Sequence, residues 1–275
     1  MGQDDAQDYS FRTRAVQPIH NMDLLEKSLL FAELAKVSYH NPETAERILR
    51  GVGITDFEFF DEDGAQAYHF ENEHDSVIVC RGTEPDDIND VKADVNVVAV
   101  AAETVGRVHG GFKSECDHLW PMIEHAIRST RKPMWFAGHS LGGAMATICA
   151  GRCFLSHIDA MPEGLFTYGS PRVGDKQYIN FCDIYHVRWV HNNDIVTRLP
   201  PRWLGYVHAG KEMYIDRHGR LRKIVGTARA MDRLKGFGTG LLQLRIDQLS
   251  DHSIDEYVKA LDGICQRRHA KPERA

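Results

Sequence analysis

The order of elements along the chain predicts an α/β fold: a mostly parallel central sheet with helices on both faces. Three observations carry this. From residue 108 onward, apolar strand-like runs alternate with helical stretches, the pattern of strands joined by crossover helices. A serine between two glycines stands where one such strand turns into a helix. No internal repeat or linker divides the 275 residues, which suit a single domain (1–275) with a sizeable core.

Taken in order, residues 1–20 read as a polar N-terminal arm. Asp23 to Tyr39 then places Leu24, Leu25, Leu29, Leu34 and Val37 near helical spacing, and Asn41-Pro42-Glu43 opens a second helix. Asp56 to Asp61, Ala65 to Phe70 and Ser76 to Cys80 have strand character, the first two joined by the turn-like Asp61-Glu62-Asp63-Gly64. An amphipathic helix is expected from Val108 to Ser129, a strand from Met134 to Ala137 and a small-residue helix from Leu141 to Leu155. Two further strands, Leu165 to Tyr168 and Tyr185 to Val190, lead into a helix at Asp175 to Asp183 and a turn at Asn192-Asn193-Asp194. A last helix carries Ile254, Tyr257, Val258 and Leu261, and 266–275 reads as a basic tail.

Composition narrows the function classes. With 43% hydrophobic and 26% charged residues the chain is an ordinary globular protein, and its net charge of −6 argues against nucleic acid as a partner. Pro133 to Gly151 is uncharged but holds four glycines, so it reads as core rather than a membrane span. Six scattered cysteines read as free thiols; Cys149 and Cys153, four apart on a helix, offer at most half a zinc site. Met1 to Ser10 lacks the basic and then apolar regions of an export signal, which predicts a cytoplasmic protein, with leaderless secretion as the other route. Charge is uneven: Asp56 to Asp94 has thirteen acids against Arg81 and Lys92, and Arg217 to Lys235 has seven basic residues against Asp232. Both read as solvated faces, the second also as a contact for anionic lipid.

Gly138-His139-Ser140-Leu141-Gly142 is the candidate nucleophile turn. A strand runs straight into it and a helix rich in Gly and Ala runs straight out, the setting in which a serine hydroxyl is held clear of a sheet beside the N–H donors of a helix start. The alternative is an ordinary helix-capping serine. A serine needs a base to take its proton and an acid to orient that base. Asp194, 54 residues downstream at the carboxyl end of a strand, is the candidate acid, with Asp175 and Asp183 as alternatives in a helical pattern. Four histidines follow Asp194: His208, His218, His252 and His269. His252, on a helix-entry loop, is the preferred base and His208 the second candidate, while His218 and His269 fall in charged, turn-like or terminal sequence.

These residues resemble the class 3 lipases, the filamentous-fungal lipase type, over about Val77 to Leu261. The likeness rests on Val79-Cys80-Arg81-Gly82-Thr83, Val108-His109-Gly110-Gly111-Phe112, the serine turn, Thr167-Tyr168-Gly169-Ser170-Pro171-Arg172-Val173-Gly174, and Asn193-Asp194-Ile195-Val196 with Leu199-Pro200-Pro201. The resemblance implies an α/β-hydrolase fold, with Ser140 as nucleophile, Asp194 as acid and His252 as base. It adds an oxyanion hole from Thr83 and the Leu141 N–H, a structural role for His208, and a lid at 84–98, where Ile88, Val91 and Val95 stand at helical spacing among five acids.

The implied chemistry is hydrolysis of carboxylic esters of lipids through an acyl-enzyme, with no metal or organic cofactor. Phospholipase A1 and a short-chain or feruloyl-type esterase are the alternatives within enzymes, and a catalytically silent interaction protein on the same fold is the alternative outside them. The expected partners are a lipid or small ester substrate and a transient membrane or lipid-droplet surface. Oligomeric state has no sequence signal.

Overall fold

A computed structural model of the protein describes residues 10–82, 98–155, 158, 161–222 and 251–270. Helix α1 (Leu24–Val37) opens with a capping box, the Asp23 carboxylate accepting from the Leu25 and Glu26 N–H groups while Glu26 reaches back to Asp23 N. Helix α2 (Pro42–Leu49) starts where Asn41 caps Thr44 N and proline occupies the first turn. Strands β1 (Asp56–Glu62), β2 (Ala65–Glu71) and β3 (Ser76–Cys80) form an antiparallel meander. The short strands β4 (Ala99–Ala101) and β5 (Arg107–His109) pair as a separate hairpin ahead of helix α3 (Gly110–Ser129). Then come β6 (Met134–His139), α4 (Leu141–Leu155), β7 (Pro162–Tyr168), α5 (Lys176–Phe181), β8 (His186–His191), β9 (Lys211–Ile215), β10 (Leu221–Arg222) and α6 (Ile254–His269).

The main sheet runs β1-β2-β3-β6-β7-β8-β9-β10. Its five central strands, β3, β6, β7, β8 and β9, are mutually parallel, and antiparallel pairs lie at both edges. Alternation along β6 shows why both faces are covered: Trp135 and Ala137 join the core beneath α1, α2 and α6, while Met134 and Phe136 join the core beneath α3 and α4. The expected α/β-hydrolase architecture is thus the observed one.

Several local expectations change. The helix expected from Val108 starts two residues later, because Val108 pairs with Val100 in the β4–β5 hairpin and His109 caps α3. The hairpin and β9–β10 have no counterpart in the sequence reading. A three-residue strand shows no period, and β9 begins on the charged pair Lys211-Glu212. The described part of the N-terminal arm is docked: Ile19 and Ala15 are buried, with Ile19 N donating to Asp75 Oδ2 (2.8 Å) and Ala15 N to Val52 O (2.7 Å). Asp75, itself buried, also accepts from Trp135 Nε1 (2.9 Å), so one carboxylate ties the arm to the sheet. Residues 266–269, read as the start of a basic tail, are helical and exposed. Residues 1–9 and 271–275, Thr83, lid positions 84–97 and basic positions 223–235 lie outside the described residues.

His186 opens β8 and is buried, its Nε2 beside Thr167 Oγ1 (2.8 Å), and burial lowers its pKa to about 3. An unfolded histidine titrates near 6.5, so between the two values the unfolded chain holds the extra proton and stability rises with pH. The contribution is complete above pH 6.5 and is lost as pH falls towards 3. Moving from pH 7 to pH 5 is therefore expected to cost about 2 kcal/mol from this one side chain. Urea unfolding at the two pH values, with His186→Phe as control, measures it; the same pH difference in both proteins would remove the assignment.

Candidate active site

The last residue of β6 is His139 and the first of α4 is Leu141, so Ser140 alone makes the turn. It does so at φ 58°, a left-handed conformation unfavourable for a residue with a side chain and characteristic of strained functional positions. Its N–H donates to Tyr168 O (2.9 Å) and its carbonyl accepts from Gly143 N (3.0 Å), which holds the turn to β7 on one side and to the helix on the other. The flanking glycines are forced by the close approach of strand and helix. A Cβ on Gly142 would lie 2.2 Å from the Cys80 carbonyl oxygen, and one on Gly138 2.3 Å from the Gly142 oxygen. Leu141 N–H lies in the first turn of α4, where helix geometry provides no intrahelical acceptor.

Asp194 follows β8 in a loop stabilised by Asp194 N donating to His191 O (2.9 Å). Its carboxylate is buried and fully engaged. Oδ1 accepts from Val196 N (2.9 Å), and Oδ2 accepts from His252 Nδ1 (2.9 Å) and from the Tyr257 hydroxyl (2.6 Å). An ionised carboxylate only accepts, so Nδ1 of His252 carries hydrogen and Nε2 presents a lone pair. That Nε2 lies 2.7 Å from Ser140 Oγ, so the serine hydroxyl donates to it. Ser140, Asp194 and His252 are each at most 4% exposed, and they converge from β6, β8 and the entry to α6 into one continuous hydrogen-bonded chain.

Two supporting residues escaped the sequence reading. Tyr257 counted only as an apolar position of the last helix, yet its oxygen accepts from His191 N (3.0 Å) while its hydrogen goes to Asp194. Burial raises its phenol well above the ordinary value, so it stays a donor. Asp251 Oδ2 accepts from Asn192 Nδ2 (2.9 Å) and Asn193 N (3.3 Å), stapling the His252 loop to the Asp194 loop. Burial lifts its carboxyl above the ordinary range. Neither role has a signal in one sequence, because both partners lie about sixty residues away.

The other candidates go elsewhere. Asp175 caps α5 through Tyr178 N (2.8 Å), and Asp183 is exposed. His208 Nε2 donates to the Thr197 carbonyl (2.8 Å), a loop brace, and His218 and His269 are exposed. Ser170 is buried with its hydroxyl on Pro171 O (3.2 Å). Cys153, read with Cys149 as half a zinc site, turns its thiol back to the Cys149 carbonyl (3.6 Å).

Comparison with known proteins agrees with this geometry. The model of the lipase (class 3) family matches residues 77–203. The secreted mono- and diacylglycerol lipase 1 of Fusarium solani is 38% identical over 117 residues, 40% of this chain and 34% of that protein. A lipase of Rhizomucor miehei is 34% identical over 150 residues, 50% of this chain and 41% of that protein. The chain therefore spans well under half the length of these curated relatives. The solved structure of Rhizomucor miehei triacylglyceride lipase superposes with a TM-score of 0.61 at 23% identity, covering 70% of this chain and 80% of that one, a likeness of fold. The expectation of a cytoplasmic protein is corrected by these findings, since the Fusarium relative is by name a secreted protein. That expectation rested only on the polar character of Met1 to Ser10. The matched segment, the sheet order and the glycine-flanked serine together make residues 77–203 similar to the class 3 lipase family.

Proposed function

We propose that the protein hydrolyses carboxylic esters of lipids through an acyl-enzyme formed on Ser140. The observation that carries this is the buried chain Ser140 Oγ, His252 Nε2, His252 Nδ1, Asp194 Oδ2, with steps of 2.7 Å and 2.9 Å. In the first half-reaction His252 takes the hydroxyl proton as Ser140 Oγ bonds to the ester carbonyl carbon; Asp194 stabilises the imidazolium, which then protonates the departing alcohol. Water repeats the sequence to release the acid. The tetrahedral oxygen is met by the Leu141 N–H at the start of α4 and by Thr83, whose place after β3 follows from the family pattern. Segment 84–98 acts as the lid, of which Val98, the one described position, is exposed. The substrate class is a lipid carboxylic ester at a lipid surface; a phospholipase A1 or short-chain or feruloyl-type esterase activity is the second reading. The chain acts as one domain.

A fluorophosphonate probe tests the reaction class: stoichiometric labelling of Ser140 supports it, and labelling elsewhere or none rejects it. Rates on nitrophenyl esters of increasing acyl length, beside triacylglycerol and phosphatidylcholine emulsions, then separate lipase, phospholipase and esterase.

A further inference from the structure

His139, the last residue of β6 and next in the chain to Ser140, is buried and takes no part in the proton chain described above. Its two ring nitrogens are both engaged. Nε2 lies 2.6 Å from the carbonyl oxygen of His252, and Nδ1 lies 2.8 Å from the hydroxyl of Tyr39, the second residue beyond α1. A carbonyl oxygen only accepts, so Nε2 carries the hydrogen. Nδ1 is then a bare lone pair, and the Tyr39 O–H donates to it. The tautomer is determined by these partners, and the ring is neutral: burial and the neighbouring His252 hold its pKa well below the ordinary histidine value. The ring centroids of His139 and His252 are 4.7 Å apart, so a second charge at His139 would oppose the imidazolium that turnover requires at His252. Access of Tyr39 to this spot depends on Gly82, where a Cβ would stand 2.4 Å from the Tyr39 oxygen.

We propose that Tyr39 and His139 are positioning residues that hold the backbone of the general base: Tyr39 fixes the His139 tautomer, and His139 N–H pins the His252 carbonyl so that the imidazole projects onto Ser140. The device extends the site to the end of α1, outside the 77–203 family match, and gives the packed N-terminal helix a part in turnover. The His252 loop is then held from two sides, by Asp251 on the Asp194 loop and by His139 on the nucleophile strand. This inference rests on the Ser140–His252–Asp194 reading and deepens it.

The test is a double-mutant cycle on a soluble nitrophenyl ester, with Ser140→Ala run alongside and folding followed by circular dichroism. Tyr39→Phe is expected to lower kcat about tenfold, and His139→Phe on the order of 10²-fold, each with KM little changed. Because Tyr39 acts through His139, Tyr39→Phe costs nothing further in the His139→Phe background. His139→Gln, whose amide N–H reaches towards the same carbonyl, recovers part of the rate. An equal cost of Tyr39→Phe in both backgrounds overturns the proposal, as does a raised KM at unchanged kcat, which would make Tyr39 a direct substrate contact. Should His139→Phe fail to fold, Tyr39→Phe and His139→Gln decide alone: wild-type kcat in both rejects the idea. Activity retained in Ser140→Ala would instead reject the triad, a failure distinguishable from that of the positioning pair.

Discussion

Ser140→Ala is expected to fold normally and to lose kcat by on the order of 10⁵- to 10⁶-fold. In the proposed pathway the nucleophile is the one group that bonds to the acyl carbon, and among the described residues the serine packed beside the turn, Ser170, is buried and bonded to Pro171 O. The fold should persist because the turn is secured by backbone bonds, Ser140 N to Tyr168 O and Gly143 N to Ser140 O, which alanine retains. Alanine also faces the same left-handed φ of 58° that serine does, so the backbone strain is nearly unchanged. Stability within about 1.5 kcal/mol of wild type is the matching expectation, since one buried hydroxyl hydrogen bond is lost and no cavity of methylene size opens. Kinetics on purified protein, with urea unfolding as the folding control, measure both. A variant that folds and keeps more than about 1% of the rate would remove Ser140 from the nucleophile role.

Asp194→Asn should cost on the order of 10⁴-fold in kcat at neutral pH, with little loss of fold, because it inverts one proton. Asp194 Oδ1 receives the Val196 N–H, so asparagine keeps its carbonyl oxygen there and turns its NH₂ towards His252 and Tyr257. His252 Nδ1 then meets a donor and must give up its hydrogen, which moves to Nε2. A protonated Nε2 cannot take the proton of Ser140, 2.7 Å away. Tyr257 can adjust by accepting from the new NH₂, so the structural loss stays small while the chemical one is large. Reduced fluorophosphonate labelling should parallel kcat. Wild-type labelling by Asp194→Asn would show that the carboxylate does not set the tautomer.

How far the site could be read from residues alone is clear from its parts. Ser140 announces itself because a tight strand-to-helix turn excludes side chains at 138 and 142, and the Cβ contacts of 2.3 Å and 2.2 Å show the exclusion. Helix α4 runs from Leu141 to Leu155 as expected, since small residues let it lie close to the sheet. Chain order and loop position point to Asp194 and His252, and both loops reach the serine. Asp251 and Tyr257 flank His252 at unremarkable spacings, and Tyr39 stands 100 residues before His139; such pairs exist only once the sheet has brought its edges together. The β4–β5 hairpin and β9 are short strands whose hydrogen-bonding partners, rather than composition, make them strands.

By itself the sequence determined the local physics of this protein: strand and helix periods, caps at Asp23 and Asn41, and a turn that only Gly-x-Ser-x-Gly residues can make. Those depend on neighbours a few residues apart, which the linear order records. Tertiary structure alone decided which nitrogen of His139 and of His252 carries hydrogen, that the N-terminal arm closes over Asp75, and that Tyr39, just beyond α1, meets His139, whose ring in turn meets the His252 carbonyl. Each of these turns on a hydrogen bond between groups distant in the chain, whose donor and acceptor are matched only when the parallel sheet fixes their separation to within a few tenths of an ångström.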